Sequence, residues 1–124
     1  MSYNLYGWNA LVQNPWKAEN VYKAIRQINP DILGAQECDG MEQAVVDNLG
    51  LDYAVAGSAN AGHAIIYRTT LFTLEGHGFV KLNEMDNFGS VSIIKSKVTS
   101  IIYVIIAENC RVCTPQPRSV WKTS

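Results

Sequence analysis

Asn9 closes the stretch Tyr6-Gly-Trp-Asn9, and Glu37 closes Pro30-Asp-Ile-Leu-Gly-Ala-Gln-Glu37. Each ends a short apolar segment that reads as a strand. An amide oxygen and a carboxylate, delivered side by side by neighbouring strands, are hard oxygen ligands of the kind Mg²⁺ or Mn²⁺ takes. Both residues also have plain structural readings. Glu37 could cap the next helix, since acids favour helix N-termini. Asn9 could bond its own backbone in a turn. Asp31 reads as a turn or strand-start residue, and Asp39 and Glu42 serve the start of the second helix. His63 and His77 read as ordinary strand residues and are assigned no catalysis. Cys110-Arg-Val-Cys113 has C-x-x-C spacing, but a structural zinc needs four ligands and no second pair exists.

The elements that position this pair follow from periodicity. Residues 5–10 read as an aromatic-rich strand. Asn14-Pro15 marks a helix entry, with proline at the first helical position. Val21, Ala24, Ile25 and Ile28 form its apolar stripe, and Asn29-Pro30 ends it. Residues 31–36 are apolar enough for a strand covered on both faces. Strand, helix, strand in this order suggests a parallel crossover. A second helix spans 41–49 with Met41, Ala44, Val45 and Leu49 on one side, closed by Gly50. Strands at 53–56, 64–68 and 72–79 are expected as one antiparallel meander. Residues 81–89 read as polar and irregular, and 91–94 and 101–107 as two more strands. Trp8 and Trp16 are expected to pack in the core or between helices.

Composition bounds the function. The chain has 124 residues, the size of one domain. Charged residues make up only 17%, so some apolar surface is expected to need a partner. The net charge of −1 and scattered basic residues leave no stripe for binding a phosphate backbone by counterion release, which argues against a stand-alone nucleic-acid-binding module. There is no secretory layout at the start and no apolar run long enough to span a bilayer. With three cysteines and no signal, the expectation is reduced thiols in an intracellular, cytoplasmic protein without a transmembrane segment.

Trp8-Asn9, a helix, Pro30-Asp31 through Gln36-Glu37, then Ala64-Ile-Ile-Tyr-Arg68, resembles the endonuclease/exonuclease/phosphatase superfamily, the DNase I-like fold. The likeness runs from about Tyr6 to about Gly89. It implies an α/β fold with a mixed β-sheet and helices on one face, about half of a four-layer sandwich. It implies a Mg²⁺-dependent (or Mn²⁺-dependent) phosphoesterase or phosphodiesterase. Glu37 would then bind the metal, Asn9 the metal or the substrate, and Tyr67 the substrate, with a possible catalytic part. The substrate would be phosphorylated: nucleic acid, nucleotide or phospholipid head group.

The family's later motifs, Asn-x-His, Gly-Asp-x-Asn and Ser-Asp-His, do not occur in this sequence. Their absence implies a weakly active or inactive chain, because positioned proton transfer alone contributes roughly 10²–10⁴-fold. The expected organisation is an N-terminal half-domain over residues 1–89, a degenerate continuation with two strands over 90–113, and a disordered tail over 114–124. A truncated product is expected, supplying one sheet and its helices, with self-association through the uncovered sheet face. The alternative is a non-catalytic remnant that packs on a partner.

Overall fold

The computed structural model describes residues 1–5, 13–38, 40–56, 62–81 and 88–107. Helix α1 (Pro15–Ile28) starts as the sequence indicates, with Pro15 in its first turn and the Lys17 N–H donating to the Asn14 carbonyl at 2.8 Å. It ends at Asn29, whose N–H still reaches the Ile25 carbonyl and whose left-handed backbone (φ 53°) then turns the chain off the helix. The buried stripe is Ala18, Val21, Tyr22 and Ile25. Ile28, expected on that stripe, lies in the last turn and is exposed. Trp16 is 71% exposed, so it is not the packing aromatic expected. Helix α2 (Glu42–Leu49) buries Val45 and Val46 and stops at Gly50, which has φ 116°.

Seven strands among the described residues form two sheets. The first is mixed, in the order β1 (Ser2–Asn4), β2 (Ile32–Gln36), β4 (Ala64–Arg68), β3 (Tyr53–Val55). β1 and β2 run parallel, and β4 is antiparallel to both β2 and β3. Of the strand expected over residues 5–10, only Leu5 is described, just past β1; the rest lies outside the described residues. Both helices pack on one face of this sheet. Val21, Tyr22, Ile25, Val45 and Val46 meet Leu33, Ala35, Ala64 and Ile66 there in one buried cluster.

The second sheet is antiparallel, in the order β5 (Phe72–Lys81), β6 (Phe88–Ser96), β7 (Ile102–Ala107). The expected meander therefore divides. β3 and β4 pair as expected, but β5 leaves for the second sheet. The turn after Arg68 is held to the end of β6 by Lys97, whose N–H donates to the Leu71 carbonyl and whose Nζ donates to the Thr69 carbonyl. That anchorage starts β5 beside β6 rather than beside β4. β6 runs across residue 89, so Phe88 and Gly89 are strand where irregular chain was expected. The sheets face each other over Ala56, Ile65, Tyr67 and Ala107, with Ile32, Phe72, Leu74 and Ile105 packed around them.

The layers are thus helices, mixed sheet and antiparallel sheet, with the expected helices on one face only. Among the described residues nothing covers the outer face of the antiparallel sheet, where Ile93, Ile102, Val104 and Ile106 are exposed. No helix among the described residues is long and apolar enough to cross a membrane.

Candidate functional site

β1 and β2 end side by side. Their register pairs Asn4 with Gln36, and the Leu5 N–H donates to the Gln36 carbonyl at 2.9 Å. The next residue on β2's chain is Glu37, with φ 52°. A non-glycine residue in that left-handed region costs about 1–2 kcal/mol. The bend is held from both sides. Before it stands the Leu5–Gln36 bond; after it the Cys38 N–H donates to the Gly62 carbonyl at 2.8 Å, and the Met41 N–H to the Cys38 carbonyl at 2.9 Å. Gly62 itself has φ 74°. Strain that persists because its surroundings over-determine it is found where side chains are aimed for use.

Glu37 is half-buried, on the strand tip where β1, β2 and the entry to β4 converge. Its expected companion Asn9 lies outside the described residues, as do Trp8, Asp39, Cys110 and Cys113. Gln36 turns its amide to Ser2, donating from Nε2 to Oγ at 3.0 Å. Cys38 is a buried thiol whose Sγ–H donates to the Ala35 carbonyl at 3.4 Å. Glu42 opens α2, where its charge suits the helix dipole.

Among the described residues, no group of three or more His, Cys, Asp or Glu side chains is placed to hold a metal ion. That does not fit a structural zinc, which needs four protein ligands. A single carboxylate at a strand end does fit Mg²⁺, which keeps several waters and takes one or two carboxylates together with substrate phosphate.

Tyr67 is not brought to Glu37. It pairs with Ile32 across β2, five residues back from Glu37, or roughly 16 Å along a strand. It is 9% exposed, with its ring in the core between the sheets. Arg68 lies at that same far end and is committed to structure. It donates from Nη2 to Asn29 Oδ1 and to the Tyr53 hydroxyl, both at 2.6 Å, and from Nε to Asp31 Oδ1 at 3.1 Å. The Tyr53 hydroxyl in turn donates to the Pro30 carbonyl at 2.6 Å. Burial pushes the Tyr53 phenol above its ordinary value, partly offset by the Arg68 cation. Asp31 therefore serves the turn, as its plain reading had it.

His63 precedes β4 and is half-buried; its carbonyl accepts the Ser90 hydroxyl at 2.6 Å. His77 lies exposed in β5. Sequence reasoning missed Ser90 and the Arg68 clamp. The signal for Ser90 was present: serines alternate with Val91 and Ile93, which puts a small polar row on one face of β6.

Helices on one face of a mixed sheet, with an antiparallel sheet on the other, make this a partial DNase I-like sandwich. The profile of the Endonuclease/Exonuclease/phosphatase family matches residues 3–122, and the chain belongs to that family. A search of curated protein sequences finds no match. Similar solved structures include the Bacteroides thetaiotaomicron mannosyl-6-phosphatase (22% identity, TM-score 0.65, covering 85% of this chain and 48% of that one). The human Nocturnin catalytic domain with bound sulfate is similar at 19% identity and TM-score 0.61, covering 84% and 46%. TDP2 of D. rerio, complexed with a single-strand DNA product, is similar at 12% identity and TM-score 0.62, covering 90% and 46%. At these identities the likeness concerns the fold. The chain spans about half the length of these structures.

Proposed function

We propose that this chain carries the metal-binding strand tip of a divalent-cation-dependent phosphoester hydrolase. The observation that supports this best is Glu37, a carboxylate held at positive φ where β1, β2 and the entry to β4 meet. In this reading Glu37 supplies one oxygen ligand to Mg²⁺ or Mn²⁺. Asn9, four residues beyond Leu5, supplies an amide to the metal or to the substrate phosphate. A cation held there would polarise a phosphoryl oxygen and neutralise developing charge. The bonds on either side of Glu37 hold the backbone that carries its carboxylate, which limits the reorganisation needed on binding. Tyr67 is assigned to packing between the sheets and drops out as a substrate contact.

The substrate class is a phosphate ester: nucleic acid, nucleotide or phospholipid head group. Family membership and neighbours described as a mannosyl-6-phosphatase and a DNA-product complex support that breadth without narrowing it. Turnover by this chain alone is weak or absent, since its sequence holds none of the family's Asn-x-His, Gly-Asp-x-Asn or Ser-Asp-His groups. The buried, reduced Cys38 suits a cytoplasmic protein. The test is Mg²⁺-dependent hydrolysis of a bis-aryl phosphodiester by the purified chain, set beside Mn²⁺ binding. Metal binding that is lost in Glu37→Ala, with slow or no hydrolysis, is the expected result. Equal metal binding by both proteins rejects the role of Glu37.

A second reading rests on the exposed Ile93, Ile102, Val104 and Ile106. It takes the chain as a non-catalytic, partner-packing fragment that self-associates through this face. Sedimentation velocity checks it: dimers that disappear in Val104→Lys support it, and a monomer at all concentrations rejects it.

A further inference from the structure

The carbonyls of two successive residues ahead of β4 are held from opposite directions. The Gly62 carbonyl accepts the Cys38 N–H at 2.8 Å, one residue past Glu37. The His63 carbonyl accepts the Ser90 hydroxyl at 2.6 Å, from β6 in the other sheet. Ser90 is 4% exposed, so water does not readily replace that bond. We infer that Ser90 is a positioning residue for Glu37: the second sheet, through one hydroxyl, fixes the peptides that set the bend carrying the carboxylate. The inference rests on Glu37 being the metal-binding group.

The line of force is short. Ser90 fixes the His63 carbonyl, residues 62 and 63 move together, and Gly62 determines where Cys38 can sit. Gly62 has positive φ and no side chain, so nothing of its own restrains it. Without Ser90's hydroxyl, the His63 carbonyl loses this side-chain donor. The neighbouring serine supplies a control. Ser92 lies two residues along the same strand and face, is fully buried, and its Oγ has no partner among the described residues.

The experiment compares the full chain with Ser90→Ala, Ser92→Ala and Glu37→Gln, using two readouts. The first is hydrogen exchange of the Cys38 amide, which needs no metal. The second is Mn²⁺ affinity from the electron paramagnetic resonance signal of the free ion. Ser90→Ala is expected to speed Cys38 exchange and weaken Mn²⁺ binding, each about fivefold, the factor a hydrogen bond of ordinary net strength carries. The Leu33 and Ile66 amides stay unchanged, and Ser92→Ala stays within about twofold of the parent in both readouts. Unchanged Cys38 exchange in Ser90→Ala overturns the inference, whatever the metal does. Faster exchange with unchanged Mn²⁺ affinity overturns the link to Glu37. Equal Mn²⁺ binding by the parent and Glu37→Gln, or none by either, overturns the metal reading and this inference with it.

Discussion

In the mixed sheet, β4 is buried on both faces: Ala64 and Ile66 against the helices, Ile65 and Tyr67 against the second sheet. In the antiparallel sheet, β7 is as apolar as β4, with Ile105 and Ala107 turned inward. Its other face, Ile102, Val104 and Ile106, meets water. A continuous apolar strand is the composition of a layer covered on both sides. The two sheets are therefore similar in make-up and differ in how many neighbours they have. Local sequence prepares a strand for burial; only the rest of a fold supplies the cover.

Matched truncations would break this comparison most clearly. Ile66→Ala, fully buried between helices and sheet, is expected to cost about 2–5 kcal/mol in urea unfolding. Val104→Ala, 63% exposed, is expected to stay within about 0.5 kcal/mol. A similar cost at both sites would mean that the outer face is covered in solution. Next in size is Tyr53→Phe, which removes the hydroxyl shared by Arg68 and the Pro30 carbonyl. A loss of about 1–3 kcal/mol is expected from the polar groups left unpaired, read from the same urea curves.

Glu37→Gly goes the other way. Relief of the left-handed backbone offsets the extra freedom of an unfolded glycine, so stability holds or rises by up to about 1 kcal/mol while Mn²⁺ binding is lost. A clear destabilisation would show that Glu37 serves the fold instead. The smallest effect concerns alkaline pH. Burial raises the Tyr22 and Tyr53 phenols above the ordinary value of 10.0. A raised folded-state value favours the protonated form, so this contribution is complete below pH 10 and fades as pH climbs through the raised values. Melting temperature is expected to fall as pH rises above about 10, and to fall less in Tyr53→Phe.

Much of the helical layer was readable in advance. Asn14-Pro15, Asn29-Pro30 and Gly50 mark helix ends through backbone rules that need no tertiary partner. β4 was likewise legible, from an unbroken apolar run between turns. The allocation of β5 was not. Whether a strand after a tight turn rejoins its own sheet depends on what grips the turn, and Lys97 lies about thirty residues downstream in sequence. At the candidate site, the place of Glu37 just past a strand end was legible from the apolar run before it. Alternation along β6 put Ser90 on a small polar row, but its bond to the His63 carbonyl joins two sheets, and periodicity along one strand does not name that partner. Tyr67 was assigned from the family resemblance, with alternation choosing it over Arg68, and neither says which end of a sheet a residue occupies.

β5 and β6 slip register between Leu74 and Gly76, where Glu75 is the extra residue. Ahead of that kink, Phe72 and Leu74 fill the space between layers. Beyond it, the glycines at 76 and 78 stand opposite Ile93 and Val91, while His77 and Phe79 stand opposite the small Ser92 and Ser90. One additional residue thus matches bulk to slenderness on both sides of the hairpin at once. Were Glu75 paired with Ile93 instead of bulged out, the frame beyond it would shift by one, setting Gly76 and Gly78 opposite the two serines and His77 against Val91. One unpaired residue in an exposed strand therefore decides which side chains stand opposite Ser90 and Ser92.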